Sequence, residues 1–173
     1  QEDLDFFIHL GDYIYETTGD ASFQATGESR SVTLTDEAGA LPLGAESEHP
    51  YLAARSLDNH RELYKTFRSD EDLQRAHEAM PMVAVWDDHE FSDDAWGATA
   101  TYFDGAQDEH DPERRQHADR AWFEYMPVDY PSDPDFIYEP NVAPFPDDMR
   151  IYRDLVLSLI HISEPTRPLE SAY

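Results

Sequence analysis

The chain has 173 residues with 40% hydrophobic and 13% aromatic content, the length of one ordinary domain and enough apolar material for a core. Twelve basic against 38 acidic residues leave a formal charge of −26, which opposes attraction to nucleic acid or to an anionic membrane. There is no cysteine, hence no disulfide framework, thiolate nucleophile or zinc-thiolate site, and no apolar run reaches the roughly 18 to 20 residues of a spanning helix. The start Gln1-Glu2-Asp3 has neither the basic residues nor the apolar stretch of a signal peptide, so the chain is soluble or its leader is missing. Such acidity describes a solvated surface whose self-repulsion salt screens, or carboxylates gathered around hard cations, and both can hold at once.

In chain order, Leu4 to Leu10 is a short apolar run closed by Gly11-Asp12, the pattern of a buried strand delivering its last residues to a loop. Thr17 to Pro50 is rich in Gly, Ser, Thr and acidic residues without sustained periodicity, and is expected to be a long surface excursion. From about Leu52 to Arg68 the spacing of Leu57, Leu63, Tyr64 and Phe67 predicts an amphipathic helix. The Ser69-x-x-Asp72 pattern starts a second helix through Ala79, and Pro81 keeps it from running into the next strand, Met82 to Trp86. That strand is closed by Asp87-Asp88-His89-Glu90. Asp111-Pro112 opens a third helix, a capping carboxylate before proline, with Ala118, Ala121, Trp122 and Tyr125 as its buried face up to Pro127. The proline-rich segment Val128 to Asp148 is expected to be irregular, and Ile151 to Leu157 to begin another strand.

Two buried strands therefore end in acidic loops, which matters because open α/β sheets bind ligands at the carboxyl ends of their strands. Asp12 and Asp88-His89 lie about 75 residues apart in sequence and are expected to converge there. Oxygen and nitrogen donors on a rigid sheet suit Fe³⁺, Mn²⁺ or Ca²⁺, and two such ions bridged by a carboxylate polarise a phosphoryl oxygen and activate a water for in-line attack. Each motif alone has a plainer reading, since Gly-Asp after a strand is a common turn and a histidine beside carboxylates is often a surface hydrogen-bonding group. Trp86, Trp96 and Trp122 are most simply core or pocket-wall residues. His9 reads as a packed, hydrogen-bonded histidine, and Asp87 as a residue that caps or orients its loop. Asp93 and Asp94 have no clear role, and His49, His60, His77, His110 and His117 are solvated by default.

The blocks Phe7 to Glu16, containing GDYIYE, and Val85 to Phe91, containing WDDHE, closely resemble those of the PhoD-like (alkaline phosphatase D) metallophosphoesterase family. Arg61 to Arg68 with Asp72-Leu73-Gln74, Ala121 to Pro127 and Ile151-Tyr152-Arg153 resemble the same family in the same order, so the resemblance covers essentially Leu4 to Arg153. It implies an α/β (α+β) fold, a four-layer αββα sandwich truncated here at both ends. Residues 1–157 would form a partial domain, and 158–173 a non-native tail, because Leu157 to Pro168 looks like a translated sequencing adapter. It further implies a metal-dependent phosphate ester hydrolase acting on a small-molecule phosphate ester, with Fe³⁺ and Ca²⁺ as cofactors. Asp12 would be the bridging carboxylate, Tyr15 a phenolate ligand to iron, Asp88 a ligand of the second ion and His89 the catalytic group beside the phosphate, with Glu90 orienting its imidazole. The family's further site blocks, before the first motif and towards the C-terminus, are absent, so this fragment is expected to be inactive alone. The resemblance also implies a secreted or periplasmic protein. A phospholipase D-like phosphodiesterase and a non-catalytic acidic calcium-binding module are the alternatives; oligomeric state is not legible.

Overall fold

The computed structural model describes residues 4–20, 23, 32–43, 51–100 and 109–128 in full, and the backbone of 154–157 and 160–163. The first strand, β1 (Phe7–His9), is shorter than its apolar run, because the chain turns into the loop at Leu10 and Gly11. Thr17 to Pro50, expected as a surface excursion, contributes β2 (Thr17–Thr18), a single 3₁₀ turn at Glu37–Gly39 and β3 (Leu41–Leu43). It also buries Val32, Leu34, Ala40, Leu41 and Leu43. The Leu-Pro-Leu run of β3 is half-buried by alternation, with Pro42 outward, a pattern too short to stand out among polar neighbours.

The strand β4 (Tyr51–Ala53) occupies the start of what the spacing assigned to helix; it pairs antiparallel with both β2 and β3. Helix α1 (Leu57–Arg68) begins only at Ser56, whose side chain accepts from the Asn59 N–H while Asn59 accepts from the Ser56 N–H, a reciprocal cap. Helix α2 (Glu71–Ala79) is capped by Asp70 rather than Ser69, its carboxylate accepting from the N–H groups of Asp72 and Leu73. The strand β5 (Met82–Ala84) follows and lies parallel to β1, in register Phe7 to Met82, Ile8 to Val83 and His9 to Ala84. The crossover from β1 to β5 therefore carries α1 and α2, as a parallel pair requires.

After β5 come a small antiparallel pair, β6 (Thr99–Ala100) and β7 (Glu109–His110), and helix α3 (Pro112–Tyr125), capped by Asp111 with proline at its first turn. Backbone pairing joins β8 (Asp154–Leu157) to β9 (Ile160–Ser163), antiparallel, within and beyond the strand expected near Ile151. The irregular segment expected over Val128 to Asp148 lies almost wholly outside the described residues, as does His49.

Helices α1 and α3 pack together over a core that includes Ile14, Leu63, Tyr64, Met82, Ala84, Ala121 and Trp122. Tyr64 stacks on Tyr125 at 5.4 Å, and the Arg61 guanidinium grips Glu124 through two bonds of 2.6 and 2.7 Å. Within α3, Arg114 is almost fully buried yet accounted for, its guanidinium donating to the carbonyls of Ala54 and Phe91 and lying over the Phe91 ring. Trp122 is core as expected, and Trp86 packs edge-on against it at 4.9 Å. Trp96 instead is 54% exposed, because it sits in the tight turn that pairs it with Thr99. Nor is His60 solvated: it is fully buried on α1, its Nδ1 donating to the Ser56 carbonyl as the turn brings residue i−4 beneath it.

Burial, and then the nearby Arg114 charge, lower the His60 pKa to about 3, against 6.5 for the unfolded chain. Between these values the unfolded chain binds a proton that the folded one refuses, so stability falls as pH drops from 6.5 towards 3, by up to about 1.4 kcal/mol per pH unit. Urea unfolding of the wild-type chain and of His60→Gln at pH 7, 5.5 and 4.5 should show the gap between them changing in the variant's favour as pH falls. A pH-independent gap would contradict this.

Candidate metal centre

The two motif loops leave the carboxyl ends of the adjacent parallel strands β1 and β5, which places them side by side. How close they come is set by Gly11. It has φ +104°, and a Cβ on it would lie 2.4 Å from both the Cβ and the N of Asp87 and 2.8 Å from the Trp86 carbonyl carbon. Asp12 follows with φ 57°, a left-handed conformation that aspartate tolerates better than most residues and that here turns its carboxylate towards the second loop.

Glu90 then ties the loops together. Its buried carboxylate accepts from the Tyr13 N–H at 2.6 Å, the Asp87 N–H at 2.7 Å and the Asp12 N–H at 3.1 Å. Burial pushes its pKa up, against the pull of these three N–H groups. Glu90 was expected to orient His89; the structure corrects this, because its oxygens are turned into the junction between the loops.

His89 is oriented by Glu16 instead, whose Oε2 lies 2.8 Å from His89 Nδ1 while Oε1 accepts from the Asp93 N–H at 2.7 Å. Burial alone would lower the His89 pKa, but Glu16, followed by Asp88 and Asp12, raises it to about 9. No sequence signal pairs residues 73 apart in this way, although Glu16 closes the GDYIYE block. Tyr15 packs against the His89 ring at a centroid distance of 4.4 Å, and Phe23, stacked on Tyr15 at 5.5 Å, meets the same ring edge-on at 4.6 Å; His89 is only 5% exposed. Burial and the neighbouring carboxylates, Asp12 before Asp88 and Glu90, raise the Tyr15 pKa.

The expected site residues Asp12, Tyr15, Asp88 and His89 thus meet in one place, joined by Asp87, read from the sequence as a residue that caps or orients its loop, and by Asp93, whose role was open. One oxygen from each of Asp12, Asp87 and Asp88 lies within 4.8 Å of the others, and Asp88, His89 and Asp93 form a second such group. Asp88 belongs to both and is held by the N–H groups of His89 at 3.0 Å and Asp94 at 2.5 Å. Asp94 itself contributes through its backbone, in a left-handed turn with φ 51°.

Asp12 Oδ1 is buried and has no hydrogen-bond partner among the described residues, which fits a bound cation because buried oxygens otherwise find donors. Carboxylate crowding points the same way: burial first, then Asp88 and Asp12, raises the Asp87 pKa, and a cation would relieve that repulsion. His9 is packed edge-on against Tyr13 at 5.2 Å as expected, but its buried Nδ1 has no hydrogen-bond partner among the described residues. His77 is not simply solvated, since its Nε2 lies 2.8 Å from the Tyr13 hydroxyl.

The family model described as PhoD-like phosphatase matches residues 1–157. Alkaline phosphatase D of Bacillus subtilis (strain 168) is 33% identical over 164 residues, covering 89% of this chain and 25% of that protein. The solved structure of PhoD is similar with a TM-score of 0.61 and 29% identity, over 90% of this chain and 24% of that one. The chain accordingly spans about a quarter of the length of both relatives.

Because Gly11 admits the second loop, Gly11→Ala should destabilise the chain by about 1–3 kcal/mol in urea unfolding and weaken Ca²⁺ or Mn²⁺ binding in calorimetric titration. Unchanged binding and stability would show that the close approach is dispensable. Glu90→Gln, which sets a donor against an N–H, should cost about 2–3 kcal/mol in the same unfolding assay, and a loss under about 0.5 kcal/mol would remove Glu90 as the tie between the loops.

Proposed function

We propose, because this chain belongs to the PhoD-like phosphatase family, that the protein from which it comes is a metal-dependent hydrolase of small-molecule phosphate esters. The observation that carries this reading is the convergence of Asp12, Asp87 and Asp88 at the ends of two adjacent parallel strands, beside a buried histidine. Metal ions bound there would polarise the phosphoryl oxygen and lower the pKa of the attacking water. The residues named from the sequence supply the rest.

Asp12, with one oxygen unpartnered, is suited to bridging two ions. Tyr15 offers a phenol beside Asp12 that becomes a hard anionic donor once a trivalent ion offsets the surrounding carboxylates, which is our reason for assigning it to Fe³⁺. Asp88, shared by both groups, suits Ca²⁺ at the second position. His89 carries its Nδ1 proton towards Glu16, so its Nε2 edge, next to Asp93, is the one that would stabilise charge on the phosphate or protonate the leaving oxygen. Since the relatives are about four times as long, the activity is assigned to the whole protein, with little turnover expected from residues 1–173 alone. An extracytoplasmic location follows from the family resemblance, and no described helix is long and apolar enough to cross a membrane.

A calcium-binding role without catalysis is the second reading, favoured by one observation: both His89 nitrogens already face carboxylates, Glu16 at 2.8 Å and Asp93 at 3.4 Å. In the protein extended to the length of its relatives, His89→Ala should lower kcat on a phosphate monoester by about 10²- to 10⁴-fold while metal content is retained. Asp12→Asn should lose both. Wild-type protein that binds ions but hydrolyses neither a monoester nor a diester would favour the calcium-binding reading, and the ratio of the two activities would set the substrate class.

A further inference from the structure

Glu16 is fully buried in a chain of 38 acidic residues, most of which have every opportunity to face water. Taking a carboxylate out of water is costly unless donors meet its oxygens. Here Oε2 meets His89 Nδ1 at 2.8 Å and Oε1 meets the Asp93 N–H at 2.7 Å. The backbone beneath it is fastened as well: the Glu16 carbonyl accepts from the Ala54 N–H at 2.8 Å, β2 pairs with β4 immediately afterwards, and the Ala54 carbonyl accepts from the buried Arg114 at 2.8 Å.

We propose that Glu16 is the positioning residue of the centre, setting the His89 imidazole with one oxygen and the Asp93 main chain with the other before any ion or substrate arrives. A carboxylate at Nδ1 keeps that nitrogen protonated whether the ring is neutral or charged, which leaves Nε2 as the working edge. Nε2 lies 3.4 Å from Asp93 Oδ1, so a single side chain sets both the direction of the imidazole and the distance to its acidic neighbour. Tyr15 and Phe23 wall the ring at 4.4 and 4.6 Å and restrict its tilt, but neither selects a nitrogen. Glu16 itself acts through His89 and Asp93. The consequence for turnover rests on the function proposed above; the positioning does not.

Glu16→Gln tests this because an amide has one acceptor oxygen, so either the His89 Nδ1–H or the Asp93 N–H must face an NH₂ group. In the wild-type chain with ¹⁵N-labelled histidine, at pH 7 and without metal, His89 should show a downfield Nδ1–H that exchanges slowly with water. In Glu16→Gln that proton should vanish or exchange at least about tenfold faster, whereas Asp93→Asn, which keeps the Glu16 contact, should retain it. In the full-length protein Glu16→Gln should lower kcat about 10- to 100-fold with KM within about twofold, and Glu16→Asp should recover part of the loss. A wild-type His89 lacking the Nδ1 proton, or a Glu16→Gln variant with the same protected proton, would overturn the assignment. Should Glu16→Gln not fold, the wild-type proton and its faster exchange in Glu16→Asp decide the matter. A full-length wild-type protein without phosphoesterase activity would reject the proposed function while leaving the magnetic resonance result to judge Glu16.

Discussion

Everything at the centre depends on one buried carboxylate holding two distant loops by their backbones. Glu90 accepts from N–H groups of residues 12, 13 and 87, so the turn after β1 and the turn after β5 are joined at their tightest point. Hydrogen bonds to a charged acceptor contribute about 1.5–3 kcal/mol each, enough together to outweigh a good part of the cost of burying the charge. They also determine the shape of the site. With the two backbones this close, only a residue without a side chain fits at position 11, and Asp12 is driven into a left-handed conformation that it tolerates. The strain is small, and it is spent at the residue whose carboxylate is left with an unpartnered oxygen.

A second layer of buried polar groups repeats the same logic further out. Glu16 fixes His89 and Asp93, Arg114 bonds the carbonyls of Ala54 and Phe91, and Arg115 pairs with the buried Asp119 at 2.9 Å while lying over Trp86 and Phe91. Arg114 thus connects the α3 helix to the end of β4 and to the end of the WDDHEF loop in one side chain. The bonded members of this layer make the arrangement more rigid and specific, while Asp119 Oδ2 is buried without a hydrogen-bond partner among the described residues. Several carboxylates stand close together at the centre, and burial first, then neighbouring carboxylates, raises the pKa values of Asp87 and Asp93.

Much of the scaffold was legible along the chain because its signals are local. Strand runs ending in Gly-Asp and in Asp-Asp-His, the Asp111-Pro112 helix start and the stop at Pro81 are set by neighbours a few residues apart, and each appears in the structure. Boundaries slipped where two local signals competed. Ser69 and Asp70 both make good caps, and Asp70 prevails by accepting from two N–H groups. Leu52 fits a helical period but pairs in β4 because β2 and β3 offer it edges, a choice made by residues far away in sequence. The core residues Val32 to Leu43 were hidden for the same reason, each being one or two apolar side chains in a polar stretch whose burial depends on what folds over them.

The residue types gathered at the centre were legible in the sequence alone: carboxylates, a phenol and an imidazole following two strands, of which the first proves half-exposed, with Ile8 45% exposed, in blocks that place the chain among PhoD-like phosphatases. Which carboxylate serves which partner was settled only by the tertiary structure. Glu16 and Glu90 are the same residue type in neighbouring motifs, and nothing local distinguishes an acid that holds an imidazole from one that holds three backbone N–H groups. That Glu16 rather than Glu90 holds the imidazole follows from the parallel register of β1 and β5, which brings the Gly11 turn against Asp87 and leaves Glu90 facing the junction and Glu16 facing the ring. Side-chain chemistry is written residue by residue, but a hydrogen bond is a relation across some 75 positions, and only the packing of strands and helices supplies its distance and direction.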